Sequence, residues 1–166
     1  MLQDKLKSLP ELLEIREILR NKLKKVVFTN GVFDILHRGH VEYLSHAREC
    51  GDALFLGLNS DVSVKRIKGP GKPLVSEKDR AIVLAGLTAV DYICLFDEDT
   101  PQEMIQALIP DVLVKGGDYQ IDEIVGRDIV EKNGGEVITI PQVHGFSTTE
   151  LTKKIAQVIA EKETIK

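Results

Sequence analysis

Two histidines bracket a glycine in the string Asn30-Gly31-Val32-Phe33-Asp34-Ile35-Leu36-His37-Arg38-Gly39-His40. A spacing of three places both imidazoles on one side of a helix's first turn, and Gly39 lets a phosphate or a backbone come close. A helix N-terminus favours anions, and two imidazole N–H donors add to it. Two plainer readings compete: a helix cap with a surface residue, or half of a zinc site. No Cys or carboxylate follows at ligand spacing, so no metal ligand is assigned. A second cluster, Ser147-Thr148-Thr149-Glu150, reads as an N-cap with its capping-box glutamate and equally as a hydroxyl and amide cradle for phosphate. Lys68, Lys72 and Arg80 form a third, either phosphate ligands or the cations of a solvated loop and helix. Gly69-Pro70-Gly71-Lys72-Pro73 lacks Walker spacing and no Ser or Thr follows it, which excludes a P-loop ATPase. No GxGxxG follows the first strand, which argues against a dinucleotide-dependent dehydrogenase.

The elements that must position these groups alternate. Apolar runs predict strands at 25–30, 53–58, 92–96, 112–115 and 137–140, and helical patterns fall at 7–24, 39–50, 76–87, 101–108, 121–132 and 148–161. Ser8 with Pro10 and Ser76 with Asp79 mark helix starts, and Gly134-Gly135 marks a stop. The polar, Gly/Pro-rich stretch 59–75 is expected to be the least regular part, with 65–75 a mobile loop that closes over phosphate and carries Lys68. Strands that are apolar throughout belong in a parallel sheet covered on both faces. The expected fold is therefore α/β: a doubly wound, Rossmann-like five-stranded parallel sheet of strand order 3-2-1-4-5, with residues 1–24 a helical extension and 25–166 the domain. In such a sheet ligands bind beyond the carboxyl ends of the strands, where all three clusters converge. Residues 1–24 either pack on the sheet or support a homo-oligomer.

The 166 residues include 22 basic and 26 acidic ones, a formal net charge of −4. That balance argues against gripping nucleic acid or an anionic membrane with the whole surface. There is no apolar run of about 18 residues or more and no signal peptide, so the chain reads as soluble and cytoplasmic. Cys50 and Cys94, far apart and without a CxxC partner, read as buried free thiols.

Gly-x-Phe-Asp-x-x-His-x-Gly-His after a strand resembles the signature of the HxGH nucleotidyltransferase superfamily, which includes the cytidylyltransferases. Phe-Ser-Thr-Thr at 146–149 is similar to its Ile-Ser-Thr-Thr motif, although Gln142 stands where cytidylyltransferases often have arginine, with His144 nearby. Asn59-Ser60-Asp61, Asp97-Glu98-Asp99-Thr100-Pro101, and above all Pro110-Asp111-Val112-Leu113-Val114-Lys115-Gly116-Gly117-Asp118-Tyr119 resemble the adenylyltransferases of ADP-heptose synthesis, a likeness covering residues 25–155. This resemblance implies transfer of an adenylyl group from ATP to D-glycero-β-D-manno-heptose 1-phosphate, for lipopolysaccharide core precursors, by a stand-alone enzyme working with a separate sugar kinase. Mg²⁺ would come with ATP, and no tightly bound organic cofactor is implied. It implies catalytic roles for His37, His40 and Lys68. Nucleotide contacts fall to Asn30, Gly31, Val32, Phe33, Gly39, Lys115, Gly116, Asp118, Gly145, Phe146, Ser147, Thr148 and Thr149, and acceptor contacts to Asp34, Lys68 and Arg80. A cytidylyltransferase for glycerol 3-phosphate or a related alcohol phosphate, and a catalytically silent nucleotide-binding subunit, stay open.

Overall fold

A computed structural model describes residues 1–117, 120–141 and 148–164. Five parallel strands, β1 (Val26–Gly31), β2 (Ala53–Asn59), β3 (Tyr92–Phe96), β4 (Val112–Gly116) and β5 (Glu136–Ile140), form one sheet in the order β3-β2-β1-β4-β5. The expected order and class hold. Alternate residues feed two cores, as the strand period requires. Val27, Leu54, Leu56, Leu58, Val112 and Val114 share one core with Leu44 and Ala47 of α2 (Arg38–Glu49) and with Ala81 and Leu84 of α4 (Glu77–Ala85). Val26, Phe28, Phe55 and Leu113 share the other. There they meet Leu12 of α1 (Leu9–Asn21), Met104, Ile105 and Leu108 of α5 (Gln102–Leu108), and Val130 of α6 (Arg127–Lys132). The last helix, α7, spans Thr148–Thr164.

Helix α1 lies on the sheet. Ser8 and Glu11 form its capping box, and Leu12 is fully buried. Buried Arg16 donates to the carbonyls of Leu108 and Ile109 and to the Asp111 carboxylate, which also accepts from Val26 N at the start of β1. Ahead of the helix, Leu6 bridges to Ile93 on the β3 edge, and Lys5 Nζ donates to the carbonyls of Leu87 and Val90.

Two expectations need correction. Residues 59–75 are not irregular throughout, because Asp61–Lys68 forms helix α3, whose N-cap Ser60 accepts from Ser63 N and whose Val64 is buried. The helix expected over 121–132 is broken: a 3-10 turn, Ile121–Glu123, precedes α6, and Gly126 between them has φ +86°. Only glycine fits there, since a Cβ would stand 2.6 Å from Ile105 Cδ1. Both cysteines are free, Cys94 buried and Cys50 half-buried.

β1 and β4 are the central pair, yet their register comprises only Val27↔Val112 and Phe28↔Leu113. Beyond that point side chains replace the ladder. Tyr43 of α2 donates its hydroxyl hydrogen to Val114 O (3.2 Å) and accepts from Thr29 Oγ1 (2.7 Å). One step further, Lys115 Nζ donates to Asn30 Oδ1. Strand order reverses here, β2 and β3 lying to one side of β1 and β4 and β5 to the other, so a crevice is expected at this place.

Candidate active site

The crevice is a cavity of about 490 Å³ over the carboxyl ends of the central strands. The end of β1 contributes Asn30, Gly31, Val32 and Phe33, and the start of α2 contributes His37, Gly39 and His40. Lys115 and Gly116 come from the end of β4, Lys68 from the end of α3, and Thr148 from the first position of α7.

Local geometry explains the histidines. Phe33 has φ +48°, a left-handed conformation that costs a bulky residue on the order of 1–3 kcal/mol. Its ring lies over Gly31, where a Cβ would come within 2.9 Å of it, and meets His40 edge-on at 5.2 Å between centroids. His37 caps α2 in extended conformation with no side-chain cap bond, so its imidazole stays available. The two imidazoles stack at 3.8 Å and 24°. Both Nδ1 atoms are buried without a hydrogen-bond partner among the described residues. Burial pushes the His37 pKa down, and burial followed by the nearby His37 pushes that of His40 to about 4. Both rings are therefore neutral near pH 7. Orphaned buried polar atoms are costly, and a ligand that satisfied them would recover that cost.

Other expected site residues divide. Asp34 and Arg80 are buried and do not line the cavity; their groups are engaged by the protein. Asp34 accepts from Lys72 Nζ and from the amides of Leu74 and Val75. Arg80 donates to Val75 O, Val32 O, Asn59 O and the Asp61 carboxylate. Together they tie the 72–75 segment to the loop that carries the histidines, and that segment is pinned rather than loose. Thr149 sits in α7 without lining the cavity; its carbonyl accepts from Thr152 Oγ1. Asp118, Gly145, Phe146 and Ser147, like Gln142 and His144, lie outside the described residues.

Sequence reasoning missed Tyr43, Asn59, Ile67, Asp99, Thr100, Pro101 and the 123–125 segment as cavity lining. Their signal was position, since Asp99 follows β3 and Glu123 follows β4 on the ligand edge of the sheet. Among the described residues, no three or more His, Cys, Asp or Glu side chains come together in a metal-binding group. No described helix is long and apolar enough to cross a membrane.

Residues 28–158 match the family described as cytidylyltransferase-like. The chain is 53% identical over 151 residues to the bifunctional protein HldE of Syntrophotalea carbinolica, covering 91% of this chain and 31% of that one. It is 58% identical over 154 residues to the HldE of Campylobacter concisus, covering 92% and 31%. It thus spans about a third of the length of the curated relatives it matches. A crystal structure of a lipopolysaccharide core biosynthesis protein from Thermoplasma volcanium superposes with TM-score 0.59 at 29% identity, covering 72% of this chain and 97% of that one.

Proposed function

Because the chain belongs to the cytidylyltransferase-like family, we propose that it is a nucleotidyltransferase that joins ATP to D-glycero-β-D-manno-heptose 1-phosphate, giving ADP-heptose and pyrophosphate. The likeness at 110–119 and the HldE relatives support the adenylyl donor and the heptose acceptor. The observation that carries the reading is the stacked, neutral His37–His40 pair. Its unpartnered ring nitrogens sit at a helix start in a cavity that also holds Lys68, Lys115 and Thr148. The catalytic unit is residues 25–166, braced by 1–24, and a sugar kinase supplies the acceptor.

An oxygen of the sugar phosphate attacks the α-phosphorus, a new P–O bond forms, and the bond to the β-phosphate oxygen breaks as pyrophosphate leaves. No protein nucleophile is needed. The chain's task is to align the reactants and neutralise charge on the pentacoordinate transition state. His37 and His40 donate to the α- and β-phosphates, with the first turn of α2 behind them. Thr148 and the residues before it serve the β- and γ-phosphates. Lys115, held by Asn30, lies on the nucleoside side with Gly116. Lys68 takes the acceptor phosphate. Mg²⁺ arriving with ATP would be held largely by phosphate oxygens and water, as this small hard ion prefers, and would supply charge neutralisation of the triphosphate.

The test is pyrophosphate release with ATP and CTP against a panel of sugar 1-phosphates and glycerol 3-phosphate. The reading requires ATP and the heptose phosphate to give the highest kcat/KM. Comparable use of CTP would move the chain to a cytidylyltransferase, and no release with any pair would make it a silent binding subunit.

A further inference from the structure

A cavity suited to polyphosphate is nevertheless lined by two acidic residues, Asp99 and Glu123. A carboxylate set against phosphate oxygens is repelled, so each is tolerated only where the ligand presents hydrogen-bond donors. The sheet order separates the two. Glu123 follows β4, on the side of Lys115, whereas Asp99 follows β3, at the other edge of the sheet. The nucleoside occupies the β4 side in the reading above, which leaves the Asp99 side to the acceptor.

On that side the cavity wall carries Lys68, Asp99 and Thr100. A cation beside a carboxylate and a hydroxyl suits a molecule with phosphate at one end and several hydroxyls beyond it. Asp99 is also oriented. Arg66, on α3 with Lys68, donates from Nε to Asp99 Oδ1 at 2.7 Å and also donates to Asp97 O. Oδ2 accepts no hydrogen bond among the described residues. One short helix thus presents the phosphate ligand and aims the hydroxyl acceptor.

We propose that Asp99 is a specificity-determining residue whose carboxylate, oriented by Arg66, accepts hydrogen bonds from hydroxyls of the sugar phosphate acceptor. The proposal rests on the adenylyltransferase reading.

The experiment compares the full chain with Asp99→Ala and Asp99→Asn. It follows ATP affinity by calorimetry and pyrophosphate release with heptose 1-phosphate and a series of its deoxy analogues. Asp99→Ala should fold normally, since the Asp99 and Arg66 side chains are 61% and 47% exposed. Its kcat/KM for heptose 1-phosphate should fall about 10- to 100-fold, the range for losing a hydrogen bond to a charged group. ATP affinity should stay within about twofold, because Asp99 lies away from the nucleotide. Asp99→Asn, whose amide oxygen still accepts, should fall between the two, and the loss should vanish for the analogue lacking the contacted hydroxyl. An unchanged kcat/KM, a matching loss of ATP affinity, or an equal loss across all deoxy analogues would overturn the assignment. If wild type releases pyrophosphate with no sugar 1-phosphate, the adenylyltransferase reading itself fails and takes this one with it.

Discussion

His40→Ala separates what the histidine does for the fold from what it does for the reaction. The ring fills space against Phe33 and His37, but its buried Nδ1 has no partner among the described residues. Removing it forfeits some packing and also removes an unsatisfied polar atom worth about 1–3 kcal/mol. At pH 7 the two effects should nearly cancel, leaving Tm within about 4 °C of wild type, the shift expected from about 1 kcal/mol in a domain this size. Turnover should nevertheless fall about 10²- to 10³-fold, the loss typical of one preorganised transition-state donor. Acid adds an independent reading. With a folded pKa of about 4, below the usual histidine value of 6.5, the unfolded chain takes up the proton first. The stability contributed by the neutral ring is whole above pH 6.5, is lost as pH falls towards 4, and changes no further below that. Because the ring is partly exposed, the loss across that window is discounted to on the order of 2 kcal/mol. Urea unfolding at pH 7 and pH 4.5 should show that loss in wild type in excess of the variant, with pyrophosphate release at saturating substrates measured alongside. Identical pH slopes in the two proteins, or turnover within about threefold of wild type, would refute the reasoning.

Arg80→Met should destabilise by about 3 kcal/mol or more, because it leaves Asp61 and three carbonyls without their donor in a buried setting; a urea-unfolding loss below about 1 kcal/mol would contradict the clamp. Gly126→Ala puts a methyl against Ile105 at φ +86° and should cost about 1–3 kcal/mol, so an unchanged Tm would show that the break before α6 needs no glycine. Lys68→Ala should leave Tm unchanged while lowering kcat/KM at least about tenfold, more through the acceptor than through ATP; an equal effect on ATP affinity would place Lys68 on the triphosphate.

How much was legible in the chain depended on how local the cause was. β1, β2 and β4 are apolar on both faces and announce themselves, as does the spacing of His37, Gly39 and His40 at a strand-to-helix turn. Helix α3 hides because its apolar side is short: Val64 is buried while Val62 and Ile67 are exposed, so its sequence reads as polar loop. Residues 121–132 read as one helix because a glycine inside a helical pattern does not reveal whether its φ is positive. Arg80 reads from the sequence as either a phosphate ligand or a surface cation, and the family resemblance favours the first. Its burial among the carbonyls of Val32, Asn59 and Val75 exists only after three separated segments meet. Asp99 shows the reverse, a residue of unremarkable type made informative by where β3 ends.

The first two dozen residues are held almost wholly by partners far along the chain: Lys5 by Leu87 and Val90, Lys7 N by Ile93 O, and Arg16 by residues 108–111. During synthesis this segment leaves the ribosome long before the groups that bind it. At about 5–20 residues per second, the 95 positions between Arg16 and Asp111 amount to roughly 5–20 s of waiting. Over that interval the core that Leu12 enters still lacks Met104, Ile105, Leu108 and Leu113, and α1, with 13 residues, is too short to be more than marginally helical alone. Its docking is therefore a late event in the life of the nascent chain, and protease protection of residues 1–24 in stalled chains should begin only once Asp111 has cleared the exit tunnel.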